Sequence, residues 1–572
     1  MPPSGKPVYK RSPSIVVYMD DPVSPTFVRA EDNTNRSRSI GVSDPTNSTA
    51  VETLLAAIAA RLTTIGGGQV KFPSGTLPLK SFPAFPAKTT IIGEGTENTI
   101  FTMPVVALDW TLPANFRIEH IKFVGTQDLQ TRIKPGDYNI FNDICIDGGG
   151  GVSGAINIEN RTGVRLYDLN IKNQINVAKG YAAALHATGT TTDLRIDGFN
   201  IYNCDRGVEM ENGASNVWVT RGLIDTVPAV GSSPLYSIGA HGHEAEGYAQ
   251  NIHYKDIRIV NSDGFTATSE CENVTFDNIE MISPTGYSLI GGASNHIRNC
   301  HFDGAGSGAA SDLLIAYGGD IAHTMFKNIE GYWAIKVPSG ATIASVHHCN
   351  FIPSVAVVPR YGIRVEGGLA MLDQNIFSGT YDNYAWNVKN TGAIRAFGNL
   401  LDVNKAMLIE ATASACHIIN NRLPVSPAFA LIYNTGNTIS GNSGYLARGE
   451  IRTLQGNIAT LTENAYNSVD NPFGQNVALL SLDIYVATAA TATSPNIDCG
   501  IGSSATTDYT TLFDDLPGET IGIYNSKIAT PGTQTQPILW QTGAGNRYLN
   551  MSIKDAAATG MVATYVATVM GL

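Results

Sequence analysis

"AINIENRTGVRLYDLNIKN", residues 155–173, alternates apolar and polar side chains, breaks at Arg161–Gly163, alternates again and breaks at Asp168. The same sentence returns as "GVEMENGASNVWVTRGLI" (207–224), "FTATSECENVTFDNIEMI" (265–282) and "YGIRVEGGLAMLDQNIFSG" (361–379). Each unit reads as a strand, a short turn, a second strand, a polar turn residue and a third short strand. The turn residue is often Asn: Asn278, Asn299, Asn328, Asn350, Asn375, Asn399, Asn421 and Asn442, at intervals of 21 to 29 residues. Asp168, Gly198, Gly222 and Asp256 take the same place in earlier units. Such a period, with several short strands per repeat, predicts a parallel β-solenoid whose stacked coils share one core. The Asn column then reads as an inward ladder of amides bonded from coil to coil.

The totals agree. Of 572 residues, 43% are hydrophobic and only 15% charged, and Gly is abundant at 58. That balance suits strands and tight turns. The net charge of −12 argues against a nucleic-acid binder, which wants a basic face. No run of about 18 apolar residues predicts a membrane span, and the N-terminus lacks a secretory apolar core. Seven cysteines, with no C-x-x-C pair, read as buried free thiols rather than disulfides or metal ligands.

The segment "TAVETLLAAIAARL" (49–62) places Val51, Leu54, Leu55, Ile58 and Leu62 at helical spacing, with Thr49 and Glu52 as a capping box. After about residue 445 the period is lost, and "NPFGQNVALLSLDIYVATAATATSPNIDCGIGSSATTDYTTLFDD" alternates strand-like runs with turns, which predicts a β-sandwich. The expected division is an extended attachment segment (1–40), a β-helix (41–445), a linker (446–472) and a C-terminal sandwich (473–572).

"SDPTNSTAVETLLAAIAARLTTIGGGQVKFPSGTLPL" (43–79) resembles the N-terminal signature of the pectate-lyase-like right-handed parallel β-helix proteins, in which a helix caps the solenoid. With the terminal sandwich, the chain resembles a bacteriophage tailspike. That resemblance implies a homotrimer of the virion, attached to tail or baseplate proteins through its N-terminus. It also implies binding and cleavage of bacterial surface polysaccharide, capsule or O-antigen. The protein is expected to be made in the host cytoplasm and to act at the cell surface, with no cofactor. No stretch of this sequence is expected to form the large N-terminal particle-binding domains of that family.

Alternation locates a candidate groove. If Ile156, Ile158, Leu185, Ala187, Val208, Met210, Ile238, Ala240, Phe265 and Ala267 point inward, two outward columns follow. One is Asn157, His186, Glu209, Gly239, Thr266; the other is Glu159, Thr188, Glu211, His241, Thr268. Titratable groups gather on three consecutive coils. Asp256 follows Gly222 by 34 residues, so "VPAVGSSPLY" and "HEAEGYAQ" should bulge beside them. Trp218, Arg206, Tyr236, His243, Glu244 and Tyr248 are therefore expected to contact a sugar chain.

Glu209 and Glu211, two apart on one strand, are expected to hold carboxylates about 6–8 Å apart. Glycoside hydrolysis needs such an acid and its partner, and mutual repulsion would raise one pKa. His186 and His241 flank them, and Asp205 is a third carboxylate candidate. "NSDGFTAT" (261–268) resembles the N-T-D-G strand of the polygalacturonase family, which implies a catalytic role for Asp263. That family's Asp pair is missing from "GYSLIGGASN" (286–295), and "HGH" precedes rather than follows. A lyase on the same fold would use His241 or Tyr248 as base and Arg206 or Arg221 to neutralise a uronate. A non-catalytic receptor-binding spike is the third reading. "HGHEAEG" (241–247) lacks H-E-x-x-H spacing, so no metal is expected.

Overall fold

The computed structural model describes residues 14–571 with short exceptions. These are 36–37, 82, 104–108, 126–131, 149–154, 175–182, 226–235, 243–246, 305–312, 331, 357–358, 411, 414, 424–429, 432–436, 441, 443–450, 459–465, 473–475, 492–494, 506–511, 518–521, 526–537, 542–546, 555–556 and 558–560. The chain divides into two compact units, Met1–Ser345 and Val346–Leu572.

The first unit is a right-handed parallel β-helix. Its straight strands, from Asp109–Thr111 through Ile156–Glu159, Ala183–Thr188, Arg206–Glu211, Ile238–His241 and Phe265–Ala267 to Trp333–Val337, stack in chain order. Between them run longer strands that bend. Thr192–Tyr202, Ser215–Asp225, Gln250–Val260 and Glu272–Ile282 each span 11 residues and pair side by side in parallel. The bends fall at Gly198, Arg221, Asp256 and Asn278, all with positive φ. One left-handed residue re-aims the second limb of the strand, and Gly, Asn and Asp tolerate that conformation best. Arg221 is held there by a two-pronged contact, its Nε and Nη2 reaching Asp197 at 2.6 and 2.7 Å.

This register corrects the sequence at Gly222, which is not the bend. It is the next, inward residue, where a Cβ would come within 2.0 Å of Phe199 Cζ. The Asn ladder is also split. Asn278 and Asn299 occupy the exposed bend, where their amides reach Asp256 and Asp277 on the preceding coil at 2.7 and 2.9 Å. Asn328 donates to Asp303 at 2.5 Å in a different column.

The inward residues that alternation selected are all buried, from Ile156 to Ala267. Each large one contributes roughly 1.5–3 kcal/mol by leaving water. All seven cysteines are buried and free.

Ahead of the coils, Ile15–Met19, Val28–Asp32 and Arg38–Ser43 form antiparallel pairs. Ile15–Met19 also pairs in parallel with Gly68–Lys71. From Ile15 onward, then, the expected attachment segment is sheet; residues 1–13 lie outside the described residues. The helix spans Ser48–Ile65 and buries Val51, Leu54, Leu55, Ile58 and Leu62. Its N-cap is Asn47, which accepts from the Thr49 and Ala50 amides, rather than the expected Thr49. Asn is the stronger cap, and Glu52 is left to accept from the Ser81 hydroxyl.

In the second unit, Tyr361–Val365, Tyr384–Val388, Met407–Ile409 and Ala430–Leu431 stack in the same way. Here the inward ladder is real. Asn399 Oδ1 accepts from the Asn375 backbone and side-chain nitrogens at 2.9 Å, and Asn421 Oδ1 serves Asn399 at 2.9 and 2.8 Å. Asn442 repeats the pattern for Asn421. Beyond it, two antiparallel sheets enclose one apolar core that includes Leu482, Ile484, Trp540, Met551 and Val569. The expected linker belongs partly to these sheets: Ile451–Asn457 pairs with Val562–Gly571, and Tyr466–Asp470 with Tyr548–Lys554. "IRTLQGN" hides its strand character because it carries little apolar alternation.

Candidate active site

Parallel pairing sets Asn157 beside His186, His186 beside Glu209, Glu209 beside Gly239, and Gly239 beside Thr266. Glu211 lies beside His241. These are the outward columns expected from the sequence. They are not open to water: Asn157 is 5% exposed, Glu209 7% and Thr266 fully buried. Polar side chains on the outer face of a solenoid strand are thus buried here.

His186 Nε2 lies 2.9 Å from Glu211 Oε2. Arg206 Nη1 lies 2.5 Å from Glu209 Oε1, and His241 Nε2 lies 3.6 Å from the same oxygen. One ligand-type atom each from His186, Glu209 and Glu211 fall within 4.8 Å of one another. The two carboxyls are therefore closer than the 6–8 Å expected, because their side chains lean together instead of standing parallel. This trio has the donor set of a cation site, yet the Arg206 guanidinium already supplies positive charge at Glu209, and we assign it no metal.

Environment drives the pair apart in acidity. Burial pushes Glu209 up to about 7; the Glu211 charge adds to the rise, and Arg206 only partly opposes it. The hydrogen bond from His186, aided by its charge, holds Glu211 down to about 2 against burial. Burial works against the His186 imidazolium, but Glu211 outweighs it and raises its pKa. Burial brings His241 down to about 4, so its imidazole is neutral near pH 7. Gly239 makes room for that ring: a Cβ there would lie 2.9 Å from His241 Nε2 and 2.8 Å from Thr266 Cγ2. Tyr236 packs against His241 at 5.8 Å between ring centres and against Tyr287 at 6.4 Å.

The other expected site residues are distributed differently. Asp205 is fully buried and cannot face a polymer. Asp263 is 8% exposed, accepts from Thr285 Oγ1 at 2.7 Å and has its pKa raised by burial. Arg206 serves Glu209 rather than standing clear for substrate. Trp218 lies on a bent strand, not a straight one, stacked between Arg195 (5.2 Å) and His253 (5.9 Å). It is still 37% exposed. Arg221 is engaged by Asp197. Tyr248 is exposed. His243 and Glu244, with most of the bulging loops, lie outside the described residues. Tyr287 and Asn157 were missed as site residues. Asn157 stood in the outward column, but its short amide gave no sign of chemistry.

No family model matches the sequence. A probable endopolygalacturonase B of Aspergillus flavus is 28% identical over 134 residues, 22% of this chain and 35% of that protein. Endopolygalacturonase B of Emericella nidulans is 25% identical over 186 residues, 31% of this chain and 45% of that protein. The chain thus spans about a third to a half of the length of these relatives. Among solved structures, the Pseudomonas phage phi297 tailspike aligns with a TM-score of 0.45 at 11% identity, covering 90% of this chain and 92% of that one. A tailspike mutant of E. coli bacteriophage HK620 in complex with a hexasaccharide aligns at 0.44 and 10% identity, covering 94% and 92%.

Proposed function

We propose that the chain is a polysaccharide depolymerase that hydrolyses glycosidic bonds, with Glu209 as general acid and Glu211 as the ionised partner. The observation that carries this reading is the pair itself. Two carboxyls on one strand, within 4.8 Å, are pushed to about 7 and about 2. One keeps its proton near neutrality while the other is fully charged, which is the division of labour glycoside hydrolysis needs.

In the proposed reaction the Glu211 carboxylate attacks the anomeric carbon as Glu209 gives its proton to the departing oxygen. The carbon–oxygen bond breaks and a glycosyl ester forms. Glu209, now ionised, takes a proton from water, which opens the ester and restores both carboxyls. His186 keeps Glu211 charged throughout.

The polygalacturonase relatives support a hydrolase over a lyase, and Arg206, engaged with Glu209, is poorly placed to neutralise a uronate. The phage setting is part of the proposal: a homotrimeric tailspike of the virion acting on capsule or O-antigen at the cell surface. Its support is the sequence resemblance. Incubation with a panel of purified bacterial polysaccharides tests the activity. Reducing ends without absorbance near 232 nm are expected; unsaturated ends would mean a lyase, and binding without cleavage an adhesin. Light scattering on the purified chain reads the trimer.

A further inference from the structure

Among the described residues, Asn157 and His186 each hold a polar atom beside the acid pair that has no hydrogen-bond partner, as do His241 Nε2 and Thr266 Oγ1 further along the two columns. Asn157 Oδ1 and His186 Nδ1 are both buried without a hydrogen bond. They belong to neighbouring residues of one column, paired across adjacent coils. His186 spends Nε2 on Glu211, so Nδ1 is the ring's remaining polar atom. A buried polar atom left unpaired costs about 1–3 kcal/mol. Each such exception asks for a cause.

These atoms also match in kind. In the imidazolium, Nδ1 is a donor, and an amide oxygen is an acceptor. A hydroxyl both accepts and donates, so one hydroxyl group seated between them satisfies both. The place is apt as well: His186 is one rung from Glu209, about 4.8 Å along the stack.

We propose that Asn157 and His186 form a subsite for a ring hydroxyl of the sugar unit adjoining the scissile bond. The inference rests on the hydrolase reading above and deepens it. Asn157 acts as a positioning residue, and His186 joins the subsite to the acid pair, since the ring that holds the hydroxyl also holds Glu211. The ligand class is a polyhydroxylated sugar ring; the seat asks for no charge on it.

The test compares Asn157→Leu and Asn157→Asp with the unaltered full-length chain. Leu is of similar size but has no acceptor, and Asp keeps an oxygen in the same place. Expected for Asn157→Leu is a fall of about tenfold in kcat/KM, the loss of one hydrogen bond, with the limbs of the pH profile unmoved. Its thermal midpoint should be equal or higher, because an unpaired buried oxygen has gone. Asn157→Asp should keep kcat/KM within about threefold. Full kcat/KM in Asn157→Leu overturns the proposal. So does a lowered midpoint in that variant, which would mean that the amide serves the fold. If no polysaccharide is cleaved by any chain, the hydrolase reading falls, and the midpoint still decides whether Asn157 is structural.

Discussion

Replacing Glu209 by Gln removes a carboxyl whose ionisation the fold opposes, and its signature is in the pH dependence of stability. The folded pKa of about 7 stands above the usual 4.5. Between those values the native chain holds a proton that the unfolded chain has released. Stability therefore falls as pH rises through that window. At about 1.36 kcal/mol per pH unit, the span amounts to roughly 3 kcal/mol for a complete effect. Arg206, Glu211, His186 and His241 all face Glu209, and each stays in the Gln variant. The constant cost of losing the Arg206 contact shifts the variant's curve up or down without giving it a slope. Urea unfolding of both chains between about pH 5 and about pH 8 measures the difference. The wild type should lose about 1–3 kcal/mol more than the variant across that range. Parallel curves, or a wild type that gains more than the variant as pH rises, would refute the argument that burial dominates at Glu209.

Two further outcomes follow from the geometry. Gly239→Ala places a methyl 2.9 Å from His241 Nε2. It also meets Thr266 Cγ2, on a buried β-branched side chain, at 2.8 Å, so stability should fall by about 1–3 kcal/mol while kcat drops at least about tenfold as the His241 ring is pushed against Glu209; unchanged kcat would show that the place of that ring beside Glu209 does not matter to the reaction. Asn399→Ala strips the bonds between Asn375 and Asn421 and leaves buried groups unpaired. It should destabilise the second unit by about 2–4 kcal/mol, read as a lowered midpoint, with cleavage by the first unit intact.

The solenoid was legible because its signal repeats. A two-residue alternation sampled over many coils fixes which side chains face inward, and the columns from Asn157 to Thr266 followed from that alone. Positions set by a single residue were harder. Gly222 and Arg221 are both compatible with a bend, and only the Phe199 ring beneath Gly222 separates them. The Asn residues repeated at similar intervals but stood in different columns, since a shift of one position moves an amide from core to surface. At the site, sequence placed Glu209 and Glu211 on one face but not their lean toward each other. It offered Trp218 as a sugar platform because alternation says outward and does not say which sheet. The terminal strand "IRTLQGN" read as linker because an edge with few apolar residues carries no pattern.

The central claim is that two neighbouring carboxyls divide acid and nucleophile between them. The dependence of kcat on pH tests it most directly. The account predicts a plateau through mildly acid pH and a falling limb centred near 7 as Glu209 loses its proton, a limb abolished along with activity in Glu209→Gln. Full activity sustained well above pH 8, or a Glu209→Gln chain that retains wild-type kcat, would contradict it.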